Sequence, residues 1–289
     1  LQILPPGDIR NCLVALSRSE SLLSRLFQYR FGEGGEIEGH SFGNLFIAAM
    51  TGVIGDFSSA VREASSILAI KGHVIPVTNE NVQLVARFED GSEITGETAI
   101  SDARRPILSI SLNPAAPTPN QEALSAIDDA NMIVLGPGSL FTSVIPNLLV
   151  PGVAERINNS HARVVYICNV MTQPGETDSF NAADHVRAIL EKTTLQRIDI
   201  VVVNSRRAAK PLMARYENRN QFWVPPTVKK IEDMGIRVVA ADMLLESDML
   251  RHNPNLLAAI LIGLINENAV APTKMAENAE DEDESFFDD

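Results

Sequence analysis

With 289 residues, 45% of them hydrophobic and 21% charged, the chain can bury a substantial core as one large α/β domain or two small ones. Its formal net charge is −13, but eight acidic residues and no basic one lie between Met275 and Asp289, leaving −5 for the rest. There is no basic stripe, aromatic residues are only 5%, and the longest apolar stretch, Leu256 to Ile265, is well short of a bilayer span. Nucleic acid and a membrane span are therefore not expected.

Taken in chain order, Pro5-Pro6-Gly7-Asp8 reads as a turn with Asp8 as N-cap of a helix from about Ile9 to Ser17. Ser21 to Phe27 continues helically, and Gly32-Glu-Gly-Gly-Glu36 reads as a flexible connection. A helix is predicted from near Ser41 through Met50, and Asp56 caps another reaching about Leu68. Val74–Val77, Val82–Phe88 and Glu93–Thr98 have strand composition, with Asp90-Gly91 as a hairpin signal between the last two. The small antiparallel β insertion is placed at about 74–105, before a strand over Ile107–Leu112.

Repeated β–α units follow. Strands are predicted at Met132–Leu135, Arg163–Val170, Ile198–Asn204 and Ile236–Ala240, and helices near Gln121–Asp129, Ser143–Asn158, Ala182–Lys192 and Pro254–Asn266. Val164-Val-Tyr-Ile-Cys168 and Ile200-Val-Val-Val203 are apolar without alternation, as suits parallel strands covered on both faces. The expected fold is thus α/β, a Rossmann-like, doubly wound, mostly parallel sheet over 1–272, with a disordered acidic tail over 273–289. Cys12 and Cys168 are expected as buried free thiols of a reducing cytoplasm. No signal peptide is expected ahead of the fold, while Leu1, which is not a start methionine, is compatible with a removed leader or a missing upstream segment.

The chemistry is expected past the carboxyl ends of the strands. After Met132–Leu135 comes Gly136-Pro137-Gly138-Ser139, with Thr142 and Ser143 leading into an apolar helix. Strand, glycine loop and helix start leave backbone N–H groups free for an anion, most often a phosphate. Asn169-Val-Met-Thr-Gln-Pro-Gly-Glu-Thr177 follows the second strand, Asn204-Ser-Arg206-Arg207 the third, and Asp242 the fourth. Amides, hydroxyls and glycines outnumber bases and nucleophiles, which favours binding a nucleotide-like ligand over acid–base chemistry. Asp8 and Asn44 each have a structural reading as helix-start residues, and Arg206 and Arg207 read first as solvated charges. The chain carries no Gly-x-x-x-x-Gly-Lys-Ser/Thr loop, no Gly-x-Gly-x-x-Gly fingerprint and no Gly-x-Ser-x-Gly elbow.

Four stretches carry a resemblance: Leu4-Pro-Pro-Gly-Asp-Ile-Arg-Asn-Cys-Leu-Val-Ala-Leu16, Gly39-His-Ser-Phe-Gly-Asn-Leu45, Leu135-Gly-Pro-Gly-Ser-Leu-Phe-Thr-Ser-Val-Ile-Pro-Asn-Leu148 and Tyr166-Ile-Cys-Asn-Val-Met-Thr-Gln-Pro-Gly-Glu-Thr-Asp178. In these the chain resembles the YvcK-type gluconeogenesis factor family, within the CofD-like group named after 2-phospho-L-lactate transferase. The opening strand, the Gly-Gly-Gly-Thr-Gly loop and the Asp-Asp-Gly-Gly-Ser segment usual in that family are not in this sequence. The resemblance implies a Rossmann-like core binding a UDP-sugar, notably UDP-N-acetylglucosamine, with roles in carbon metabolism and cell-wall shape. It carries over Asp8, Asn44, Gly136, Gly138, Ser139, Thr142, Asn169 and Thr172 as ligand-facing residues. Asp8 and the Asn44 region would face acceptor and phosphate, and Gly136 to Ser143 the nucleotide.

The leading expectation is a regulatory nucleotide-sugar-binding protein with no catalytic residue assigned. The alternative is a transferase joining a phosphorylated acid to a deazaflavin acceptor, and only that alternative implies a magnesium ion, held near Asp8. A homo-oligomer is compatible with the sequence, and Phe286-Phe287 in the acidic tail would be the docking motif for a protein partner.

Overall fold

A computed structural model describes residues 7–17, 22–32, 34–35, 37–246 and 249–269. Pro5, Pro6, Glu33, Glu36 and the acidic segment 273–289, with the turn, connection and tail predictions resting on them, lie outside the described residues.

The first quarter is helical: α1 (Gly7–Leu16), α2 (Leu22–Gln28), α3 (Phe42–Ile54) and α4 (Phe57–Ile67). The predicted cap holds at Asp56, which accepts from Ser59 N–H, and the helix predicted to begin near Ser41 is capped by Ser41 itself, which accepts from Asn44 N–H. Asp8 is a correction: α1 already begins at Gly7, so Asp8 is exposed in the first turn and is not the N-cap. These helices enclose a core of their own, with Leu13, Phe27, Ile47, Phe57 and Val61 packed against Phe42 and Phe46. Cys12 points away from it and is exposed, contrary to expectation, because Arg10 and Leu13 occupy the inward face of α1.

The β insertion is a three-stranded antiparallel sheet of order β2-β1-β3, from β1 (Gln83–Phe88), β2 (Glu93–Thr95) and β3 (Ile107–Asn113). The Asp90-Gly91 hairpin is present. Two expectations fail. Val74–Val77 forms no strand, and the third predicted strand stops at Thr95, because Gly96 turns at φ 99° into helix α5 (Glu97–Ala103).

The larger sheet is parallel with order β4-β5-β6-β7, from β4 (Met132–Leu135), β5 (Arg163–Ile167), β6 (Ile200–Asn204) and β7 (Arg237–Ala241). Its two inner strands are buried on both faces, as their unbroken apolar runs predict. Val164, Tyr166, Val201 and Val203 face a core shared with β1, β3 and helices α6 (Gln121–Asp128), α7 (Ile145–Leu149), α8 (Val153–Asn159), α9 (Ala182–Lys192) and α11 (Val228–Glu232). Val165, Ile167, Ile200 and Val202 face the other way, against Leu257, Ile260 and Leu264 of α12 (Pro254–Ala269). The chain is thus mixed α/β with helices on both faces of a parallel sheet.

The single helix predicted over Ser143–Asn158 is instead a π-turn, Leu140–Val144, followed by α7 and α8, which are separated at Val150-Pro151-Gly152. Proline cannot supply the N–H that a continuous helix needs, and Gly152 takes a left-handed φ of 85°. Helix α10 (Lys210–Glu217), α11 and the hairpin of β8 (Leu244–Glu246) and β9 (Leu250–His252) were not anticipated from sequence. No helix among the described residues is long and apolar enough to cross a membrane.

Candidate functional site

The glycine loop lies beyond the carboxyl end of β4. Gly136 has φ +76°, and an added Cβ would stand 3.2 Å from the Ile167 carbonyl of neighbouring β5, so the position favours glycine on both counts. Gly138 differs. Its backbone is not left-handed, and a Cβ would meet Ser143 Cβ at 3.4 Å, an ordinary contact. Packing of the protein alone therefore tolerates a side chain at 138.

Behind the loop, Ser139 O accepts from both Ser143 N–H and Val144 N–H at 2.9 Å, which opens the π-turn. Ser139 Oγ does not cap it and instead accepts from Gln173 Nε2 at 2.6 Å. Asn169 Nδ2 donates to Gly138 O at 2.8 Å. The segment following β5 is thus bonded directly to the glycine loop, which joins two sequence motifs into one wall.

A cavity of about 480 Å³ opens on that wall. Its lining includes Pro137, Asn169, Thr172 and Gln173, with Tyr216, Gln221, Arg251, His252 and Leu257 from later elements. The volume lies within the range of about 300–1,000 Å³ common for small-molecule sites. Arg251 is exposed and supplies a cation. His252 Nε2 lies 3.1 Å from Cys168 O, so that nitrogen carries the proton, and burial lowers the pKa of the ring. Burial pushes the Cys168 thiol up to about 12, which makes it a poor nucleophile.

Thr172 is buried, and its hydroxyl accepts from Phe222 N–H at 2.9 Å while its own N–H donates to Phe222 O at 2.7 Å. It fixes the β5 loop against the 222 segment. Thr142 and Asp8 line a different cavity, of about 810 Å³, with Arg10, Arg30, Glu97 and Asp102. Asn44 is on the lining of neither; its N–H is capped by Ser41 Oγ at 3.2 Å, and its Oδ1 is buried without a partner. Asn204, buried, caps Met243 N–H through Oδ1, and Arg206 pairs with Asp242 at 2.8 Å. These two are parts of the scaffold.

Sequence reasoning did not single out Gln173, Glu176, Gln221, Arg251 or His252. The first two lie inside the loop it marked after β5. Arg251 and His252 stand on a hairpin of three-residue strands, too short to give a periodic signal. Glu176 is buried under the π-turn. Burial pushes its carboxyl up to about 7; a bond from Phe141 N–H opposes the rise, the Glu97 charge adds to it, and the Thr142 hydroxyl also opposes it.

A parallel sheet carrying a glycine loop and an amide-lined crevice at its carboxyl edge defines a Rossmann-like type of α/β protein. Comparison with known proteins narrows the class. The family model described as 2-phospho-L-lactate transferase CofD matches residues 1–244. The gluconeogenesis factor of Halalkalibacterium halodurans is 44% identical over 265 residues, covering 91% of this chain and 82% of that protein. The gluconeogenesis factor of Bacillus subtilis is 42% identical over 268 residues, covering 92% and 84%. A crystal structure of a upf0052 family member from Bacillus halodurans superposes with a TM-score of 0.86 at 43% identity, covering 90% of this chain and 84% of that one. The chain belongs to the CofD family, on the branch of the gluconeogenesis factors.

Proposed function

We propose that the protein is a regulatory binder of a nucleotide sugar of the UDP-N-acetylglucosamine type, acting in gluconeogenic growth, cell shape and cell-wall metabolism. The observation that carries this reading is the joined wall of Gly136–Ser139 with Asn169 and Gln173 beside the cavity of about 480 Å³. From the glycine loop only Pro137 lines that cavity, and it has no N–H to offer, so the Arg251 guanidinium is the group on the lining that suits a diphosphate, with the loop N–H groups adjoining it. Side-chain amides of Asn169, Gln173 and Gln221 suit the paired donors and acceptors of a uracil or an N-acetyl group. Neither the buried Cys168 nor the Gln173-bonded Ser139 has the partner a nucleophile requires.

Calorimetric titration with UDP-N-acetylglucosamine, against UDP, GDP and a deazaflavin alcohol, tests this. Saturable binding selective for the UDP-sugar is expected. Binding of GDP or the deazaflavin in its place would move the protein to the transferase reading.

That second reading draws on the larger cavity, where Asp8, Glu97 and Asp102 gather carboxylates beside Thr142. It asks for a magnesium ion near Asp8. Among the described residues no group of three or more His, Cys, Asp or Glu side chains is placed to hold a metal, and no step is assigned through one.

A further inference from the structure

The segment after β5 grips the glycine loop and the turn behind it at three successive points. Asn169 bonds Gly138 O, Gln173 bonds Ser139 Oγ, and the buried Glu176 carboxyl lies against the Phe141 N–H and the Thr142 hydroxyl. The first two ties are neutral amides. The third is an acid only 6% exposed, and its Oε2 is buried with no partner. Such an oxygen is costly to bury as an anion and much less so as a protonated acid.

The ionisable neighbours acting on Glu176 are acidic. Glu97 of α5 raises it, and Asp8 of α1 in turn raises Glu97. The π-turn, Leu-Phe-Thr-Ser-Val, contributes no titratable side chain. On its own loop, the Asp178 carboxylate is engaged by Gly175 N–H at 2.8 Å. Arg104 and Arg105 approach the loop through main chain at Gly175, and the Arg105 guanidinium stacks on Phe88 and pairs with Asp90.

We propose that Glu176 is the positioning residue of the glycine loop, and that an anionic ligand binds there together with a proton taken from solvent onto the Glu176 carboxyl. This rests on the reading that the glycine loop receives a phosphate. That phosphate would bring a second negative charge to N–H groups adjoining those Glu176 already occupies. Like charges in a site with little water drive protonation of the one able to take a proton. By linkage, the proton then strengthens ligand binding by the same factor.

The test is calorimetry of the full chain with UDP-N-acetylglucosamine near pH 6, 7 and 8, in buffers of different ionisation heat, so that protons are counted with affinity. The pyrophosphate of a UDP-sugar, lacking a phosphomonoester, does not titrate in this window. Wild-type affinity is expected to fall about threefold to tenfold between pH 6 and pH 8, with proton uptake on binding. Glu176→Gln is expected to give a flat profile without that uptake. A slope arising from His252 would survive the substitution, so equal slopes and equal uptake in the two proteins would overturn the proposal.

If the nucleotide sugar does not bind, inorganic pyrophosphate separates the two readings. Proton uptake on pyrophosphate binding that disappears in Glu176→Gln upholds the loop proposal while the nucleotide-sugar reading fails. No pyrophosphate binding overturns the loop proposal as well. Should the variant fail to fold, the carbon-13 carboxyl resonance of Glu176 in the wild type decides: its midpoint is expected to rise on ligand addition, and an unmoved midpoint counts against us.

Discussion

The sheet side, which carries the glycine loop, and the helical layer of α1–α4 are held by different means. On the sheet side, β5 and β6 are covered on both faces, and the β5 loop is bonded to the glycine loop at successive residues. On the other side, α1–α4 enclose a separate small core, and Asp8 of α1 lines a cavity shared with Glu97 and Asp102 of α5, a helix that packs on the sheet-side core through Ile100. Part of what links that helical layer to the sheet side is exposed and polar, such as the Arg62–Glu122 ion pair. The contrast teaches where rigidity is concentrated. The glycine loop sits on the over-determined side, and Asp8, with the larger cavity it lines, adjoins the looser one.

The strongest way to break this contrast is to loosen the sheet side at its tightest main-chain contact, where the β5 loop meets the corner between α5 and β3. A Cβ at Gly175 would stand 2.5 Å from Arg104 Cα and C and from Arg105 N, and Gly175 has φ +84°. Main chain cannot yield as a side-chain tip can, so Gly175→Val is expected to destabilise the fold by about 3 kcal/mol or more, read by chemical denaturation. A loss below about 1 kcal/mol would mean the β5 loop and the α5 corner are not rigidly apposed.

Next in size is the pH dependence carried by Glu176. Its carboxyl rises from an ordinary 4.5 to about 7 on folding. A raised folded value means the stability contributed is complete below about 4.5 and is lost as pH climbs through about 7, up to roughly 3 kcal/mol in all. The wild-type melting temperature should therefore fall between about pH 5 and pH 8 more steeply than that of Glu176→Gln. Parallel curves for the two proteins would remove Glu176 from the list of groups that titrate on folding.

Much of the sheet side was legible because its signals are local and dense. Val164 to Cys168 and Ile200 to Val203 announce doubly covered strands, and Gly136-Pro-Gly-Ser139 announces the loop at a strand end. The capping residue Asp56 marks a helix start for the same reason, since a cap is a bond within three residues. What was illegible depends on distance. That Thr172 would be bonded to Phe222, or that Glu176 would lie beneath Phe141, follows only from how loops far apart in sequence are brought together. The division of the candidates between two cavities, Asn169 and Thr172 in one and Asp8 and Thr142 in the other, is of that kind too. Val74–Val77 has strand composition, yet it runs as an irregular segment lining the larger cavity.

A sharper comparison separates fold from ligand at one residue. Because a Cβ at Gly138 meets nothing closer than 3.4 Å, Gly138→Ala should change folding stability by less than about 1 kcal/mol. The bulkier Gly138→Val, whose methyls press on Ser143 and Val144 and so shift the loop backbone, should weaken nucleotide-sugar binding at least about tenfold, or 1.4 kcal/mol. Normal affinity in both would show that the ligand does not touch this part of the loop.

The smallest effect is expected at the seam between the halves. Arg62 and Glu122 form two bonds of 2.8 and 3.0 Å, yet their side chains are 53% and 52% exposed. In water, the gain from pairing is nearly cancelled by the entropy of holding two long side chains and by screening, which leaves about 0.5 kcal/mol or less. Arg62→Ala should thus leave denaturation almost unmoved, and added salt should erase what difference there is. A loss above about 1.5 kcal/mol, insensitive to salt, would mean that this ion pair locks the helical layer onto the sheet. The looser half would then be as firmly fixed as the one that carries the glycine loop.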